Sequence, residues 1–169
     1  MESSVDQIRS LRELTGAGVM DCKKALEEAQ GDLSKAEQVL RASGIAKAAS
    51  KADREAREGI VEVYVHSGGR IGAMVELNCE SDFVSRLPEF KDLAHQLALQ
   101  VVGMSPDYVD SSDIDEDDKR DPEQVCLLLQ PFIKDDSKVI KELVTDLAAR
   151  VGENVVVRRF ARFELGVKE

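Results

Sequence analysis

Apolar residues in the first quarter of the chain recur every three or four positions. Val5, Ile8 and Leu11 share one helical face, with Ser3 or Ser4 in front of them as N-cap. Thr15-Gly16-Ala17-Gly18 breaks the period, because glycine supplies backbone angles that other residues avoid. Val19, Cys22, Leu26 and Ala29 make a second stripe. Gly31 closes it, Asp32 caps a third helix carrying Leu33, Ala36, Val39 and Leu40, and Gly44 is placed to end that helix. The pattern predicts a three-helix unit over residues 1–44. Its core is so small that it is marginal alone, as suits a unit made for contact.

Residues 45–58 lose the stripe. Ala, Lys, Arg and Glu dominate, all strong helix formers without a wide apolar face, so a solvated, partly helical linker is expected up to Gly59. The period then changes to two. Val61, Val63 and Val65 alternate with Glu62, Tyr64 and His66, the mark of a half-buried strand. Ser67-Gly68-Gly69-Arg70 is a hairpin turn. Ile71, Ala73, Val75, Leu77 and Cys79 share one face of a second strand.

Pro88 suits the first turn of the next helix, whose stripe is Phe90, Leu93, Ala94, Leu97, Ala98 and Val101. A last helix follows, capped by Asp136 or Ser137, with Val139, Ile140, Leu143, Val144, Leu147 and Val151 on its apolar side and Gly152 at its end. Val155, Val157, Ala161, Phe163 and Leu165 mark a final strand, interrupted on that face by Arg159. Residues 59–169 thus form an α+β core module, a three-stranded antiparallel sheet with helices on one side.

Charge changes this picture in one place. Asp107 to Pro122 holds Asp113, Asp115, Glu116, Asp117, Asp118 and Asp121, and such density disfavours compaction, so a mobile acidic loop is expected. The ligand spacing and central Gly of a calcium loop are missing there. The chain as a whole has 169 residues, 43% hydrophobic and 33% charged, with a net charge of -10. That balance argues against direct nucleic-acid binding, which needs a basic face to displace counterions. No apolar run reaches membrane-spanning length and the N-terminus has no signal-peptide pattern. Cys22, Cys79 and Cys126 are far apart and odd in number, so neither a disulfide framework nor a zinc site is read, and a cytoplasmic location is the simplest. His66 and His95 share no ligand spacing. No metal site, cofactor motif, phosphate-cradling glycine loop or catalytic triad stands out, and no enzyme is expected.

The candidate site is Leu77 to Arg86, at the junction of strand and helix. Asp82 and Phe83 sit side by side there, after the strand's last paired register, where contact residues tend to be placed. A plainer role fits the same pair, Asp82 as helix cap and Phe83 as a core ring. Cys79 reads as a small buried hydrophobe with no base paired to it.

Several of these runs, in this order, closely resemble the translation elongation factor Ts family. They are Leu14-Thr15-Gly16-Ala17-Gly18-Val19-Met20-Asp21-Cys22-Lys23-Lys24-Ala25-Leu26, the Lys-Ala-Ala-x-Lys run that begins at Lys47, Ser81-Asp82-Phe83-Val84, Gln130-Pro131-Phe132, and Gly152-Glu153-Asn154 with the valines after it. The chain departs from the family pattern at Val19, where Met is common, at Ser81, where Thr is usual, and at Gln100, where a His commonly stands. A longer, helix-rich insertion between Tyr108-Val109 and Gln130 is largely absent.

The resemblance implies a ubiquitin-associated-like N-terminal domain that docks on the nucleotide-binding domain of elongation factor Tu through Arg12, Val19 and Met20. It implies a guanine nucleotide exchange factor. Phe83 would wedge between helices of Tu, Asp82 would disturb the surroundings of its Mg²⁺, Ser81 and Val84 would complete the motif, and GDP would leave so that GTP can rebind. A single core module with one sheet face free adds a homodimer to the expectations. A protein-binding adaptor without exchange activity is the alternative.

Overall fold

The structure is a computed structural model that describes residues 5–167; Ser3 and Ser4, the expected N-caps, lie outside the described residues. Three helices open the chain: α1 (Val5–Thr15), α2 (Val19–Glu28) and α3 (Leu33–Ala49). Gly16 takes φ 69°, the left-handed angle that turns the chain out of α1. The Asp32 carboxylate accepts from the Lys35 backbone N–H at 3.1 Å and caps α3 as expected. Leu11, Cys22, Ala25, Leu26 and Ala36 form a small separate core.

Gly44 does not end α3. The helix continues to Ala49, and Gly44 instead faces α7 (Ile140–Val151), where a Cβ on it would lie 3.0 Å from the Ala149 Cβ. Helix propensity charges about 1 kcal/mol for an internal glycine, which close helix packing here offsets. Arg41 clamps the same contact with two bonds to Asp146, at 3.2 and 2.9 Å. Lys51 reaches the Gly152 carbonyl at the end of α7. The second half of α3 therefore belongs to both units.

The core module has the expected three-stranded antiparallel sheet, in the order β1 (Glu58–Val65), β2 (Ile71–Cys79), β5 (Val156–Glu164). Its helix-facing side is Ala73, Val75, Leu77 and Cys79 of β2, covered by α5 (Pro88–Met104), with α7 packed on α5 and adding Ile140, Val144 and Leu147 to the same core. The register places Ile60 opposite Leu77, Glu62 opposite Val75 and Tyr64 opposite Ala73. So Ile60, Glu62 and Tyr64 turn inward, and Val61, Val63 and Val65 point outward, the reverse of the face that alternation suggested. Glu62 tolerates its position at the rim because its carboxylate meets His95 Nδ1 of α5 at 3.0 Å.

A bulge changes β5 as well. Glu76 pairs with Arg159 but Leu77 pairs with Val157, so Arg158 is an extra residue and the faces exchange across it. Val155 and Val157 are buried, whereas Ala161 and Phe163 turn to the outer face beside Met74 and Gly72.

The one-turn helix α4 (Asp82–Ser85) lies between β2 and α5, and between α5 and α7 the chain makes the one-turn helix α6 (Pro122–Val125) and a small hairpin of β3 (Pro131–Phe132) and β4 (Asp135–Val139). The hairpin takes up the residues expected to cap the last helix. Ser137 Oγ donates to Asp135 at 2.6 Å inside the turn, and α7 starts only at Ile140. The acidic segment carries ordered turns where a mobile loop was expected. Arg120 donates to Asp107 at 2.7 Å and to Asp118 at 2.6 Å, so one guanidinium neutralises two of the crowded carboxylates. Tyr108 Oη adds bonds to Asp115 and Asp118. The Asp118 carboxyl is held far below the usual carboxylate range, chiefly by the Arg120 side chain. Among the described residues no helix is long and apolar enough to cross a membrane.

Candidate partner-docking site

Strand β2 ends at Cys79, and α4 begins three residues later with Ser81 as its N-cap. The Ser81 hydroxyl accepts from the Val84 backbone N–H at 3.5 Å. Val84 and Ser85 are buried, and Val84 joins the main core. The first turn of α4 is thereby pinned on one side and projects on the other. Phe83 stands on the projecting side and is 77% exposed, the most open aromatic side chain among the described residues. The plainer role of core ring does not fit it.

Asp82 is half-buried, and its carboxylate accepts from Arg86 at 2.7 Å, one turn along. Of the four motif residues, Asp82 and Phe83 present groups outward while Ser81 and Val84 anchor the turn. Helix capping at this junction falls to Ser81, not Asp82.

A brace lies under the tip that sequence patterning did not single out. Glu153 Oε2 accepts from the backbone N–H groups of Glu80 and Ser81 at 3.1 and 3.0 Å, and its Oε1 accepts from the Ser81 hydroxyl at 2.5 Å. Glu80 Oε1 in turn accepts from the Asn154 backbone N–H at 2.7 Å. That bond leads the causes that hold the Glu80 carboxyl below its ordinary value. The Asn154 side chain donates to the Ala52 and Arg54 carbonyls, tying in the end of the linker. The signal available in sequence was an acid and an amide directly after a helix-ending glycine.

Cys79 is fully buried, and its thiol contacts the Ser81 carbonyl. Burial first, then the Glu153 carboxylate, pushes its pKa up to about 11. It is a thiol at neutral pH and no nucleophile. Gln100 is fully buried too. It donates to Gln130 and to the Pro131 carbonyl and accepts from the Ile133 backbone N–H at 2.8 Å, so it stitches the β3–β4 hairpin to α5 and presents nothing outward.

On the N-terminal unit, Arg12, Val19 and Met20 are all exposed, together with Leu14, which patterning did not single out as a contact. Among the described residues there is no cluster of His, Cys, Asp or Glu able to hold a metal ion.

An open aromatic ring on a pinned turn, with a second apolar patch on a separate helical unit, describes a protein that works by contact with another macromolecule. The comparisons agree. The family model described as Elongation factor TS matches residues 45–122. Elongation factor Ts of Thermotoga neapolitana is 47% identical over 194 aligned positions, covering 98% of each chain. That of Thermotoga maritima is 46% identical with the same coverage, and that of Carboxydothermus hydrogenoformans is 44% identical over 94% of this chain and 87% of its own. The chain belongs to the elongation factor Ts family. It is a translation elongation factor, of the exchange-factor class and not an enzyme. The alignment to the Thermotoga proteins runs over more positions than this chain has residues, so those relatives hold segments that it lacks.

Proposed function

We propose that this protein is the guanine nucleotide exchange factor of elongation factor Tu, and that it promotes GDP release so that GTP can rebind. The N-terminal unit docks through Arg12, Val19 and Met20. The tip then inserts Phe83 between helices of Tu near the nucleotide site, and Asp82 disturbs the surroundings of the Mg²⁺ ion there. That ion demands near-ideal octahedral geometry, so small displacements weaken it and the phosphates it holds. A partner that binds best to the geometry without the ion must weaken GDP binding, and GDP must weaken the partner by the same factor. Asp82 reaches outward only by giving up or sharing Arg86, a surface pair that costs little to open.

The observation that carries this reading is the exposure of the Phe83 ring on a turn whose other side is buried. Burying such a ring supplies about 2 kcal/mol of differential binding. Labelled-GDP release from purified elongation factor Tu tests it: release should accelerate with added protein. A protein that binds Tu with no acceleration is the adaptor of the alternative reading.

The outer sheet face favours a homodimer in addition. Val61, Val63, Val65, Met74 and Phe163 stand exposed on one side of the sheet. A two-fold dimer would bury the same patch on both copies, and large exposed apolar patches are uncommon on monomers. Light scattering across a concentration series should give twice the chain mass; a constant monomer mass refutes the dimer. No cofactor, nucleic acid or membrane enters the mechanism, and it operates in the cytoplasm, where Tu acts.

A further inference from the structure

We propose that Glu153 is a positioning residue that sets the direction of Phe83. This rests on the reading of Phe83 as the partner-contacting ring, but the geometry can be tested without it.

The turn α4 has four residues, far too few to be stable by itself. Its orientation must be supplied from outside. Three donors of the preceding turn, the Glu80 and Ser81 backbone N–H groups and the Ser81 hydroxyl, converge on the one carboxylate of Glu153. A carboxylate accepts at both oxygens and can take all three at once. With its proton committed to Glu153, the Ser81 oxygen turns its lone pairs to the Val84 N–H, which begins the helical turn that holds Phe83. The brace comes from beyond α7, so residues at opposite ends of the core module fix one ring. The main core does not depend on it, because Val84, Phe90 and Leu77 are buried among other side chains.

The test uses the full chain with Glu153→Ala, Glu153→Gln, Phe83→Ala and the double variant Glu153→Ala/Phe83→Ala. Glu153→Ala should slow stimulated GDP release about tenfold, the scale of one hydrogen bond to a charged acceptor, because water takes over the rest of the bonding at this partly exposed turn. Glu153→Gln should keep most of the activity. Its amide oxygen can serve both backbone N–H groups, while its NH₂ donates to a reversed Ser81 hydroxyl. In the Phe83→Ala background, Glu153→Ala should add nothing, since the two act through one another.

Full activity of Glu153→Ala overturns the proposal. So does a Glu153→Gln as poor as Glu153→Ala, which would assign the effect to charge, or a full further loss in the double variant, which would assign it to general stability. Amide hydrogen exchange supplies the independent reading. At Ser81 and Val84 it should quicken in Glu153→Ala, stay near wild type in Glu153→Gln, and leave Val75 unchanged. Unchanged exchange at Ser81 and Val84 overturns the brace whatever the activity. If the unmodified protein fails to release GDP while the exchange pattern holds, the proposed function falls and the brace stands. Should Glu153→Ala not fold, Ser81→Ala removes the hydroxyl's bond to Glu153 together with its cap on the Val84 N–H, and leaves the two backbone bonds to Glu153 in place. It should lose a smaller share of activity in the Phe83-containing chain only, and an unaltered rate would count against the proposal.

Discussion

Two exposed apolar regions of this protein differ in kind. The tip offers one ring, Phe83, on a turn pinned by Val84, Ser81 and Glu153. The back of the sheet offers a broad face of five side chains from three strands, without a pinned projection. A single rigid projection spends its burial energy at one point of a partner, where it can force apart elements that already touch. A broad face spreads the same energy and suits an association that disturbs neither surface. The first arrangement fits displacement of a bound group, and the second fits assembly.

The sharpest way to break this contrast is Phe83→Ala. Losing about 2 kcal/mol of burial should cut stimulated GDP release about thirtyfold with an unchanged melting temperature. A rate within a factor of about two of wild type would mean that the ring is not the wedge. Val63→Lys at the sheet back should do the opposite. A buried ammonium there should weaken self-association about tenfold or more by sedimentation, while GDP release per chain stays close to wild type. Exchange activity that falls in step with dimer dissociation would join two regions that are here assigned separate roles.

Met20→Ala on the N-terminal unit should raise the concentration for half-maximal release about fivefold, from roughly 1 kcal/mol of lost burial, and leave the maximal rate alone. A lowered maximal rate would give that patch a part in displacement. The smallest expected effect lies outside both regions. The lowered pKa of Asp118 stabilises the folded segment fully above its unfolded value near 4, and that contribution is lost progressively as pH falls below it. Limited proteolysis should therefore find residues 107–122 closed at about pH 5 and opening at about pH 3, ahead of the core. Asp118→Asn should already be more open at neutral pH and lose that pH dependence.

Most of the fold was legible in the chain. Asp32, Pro88 and Gly152 act as the cap, first-turn residue and stop that their types suggest, because these signals depend on backbone groups within a turn of them. The Ser67 to Arg70 turn and the apolar face of β2 follow for the same reason. Gly44 misled because an internal glycine has two causes, a helix stop or a close neighbour, and Ala149 is over a hundred positions away in the chain. The acidic segment misled because charge density alone ignores Arg120, one cation placed to meet Asp107 and Asp118. At the site, the motif residues were visible, but the division into outward Asp82 and Phe83 and inward Ser81 and Val84 was not.

What the chain alone determined is local: which stretches are helices or strands, where they start, and that Asp82 and Phe83 fall after a strand's last paired residue. What only the tertiary structure decided is which way faces turn and who supports whom. β1 carries apolar residues on both faces, so alternation favoured Val61, Val63 and Val65 only weakly over the Ile60, Glu62 and Tyr64 set. Pairing with β2 made that choice. A one-residue bulge at Arg158 reversed β5, moving Phe163 from core to surface. Glu153 acquires its task only when α7 returns its own end to the end of β2, since a hydrogen bond between residues 72 apart has no trace in local pattern.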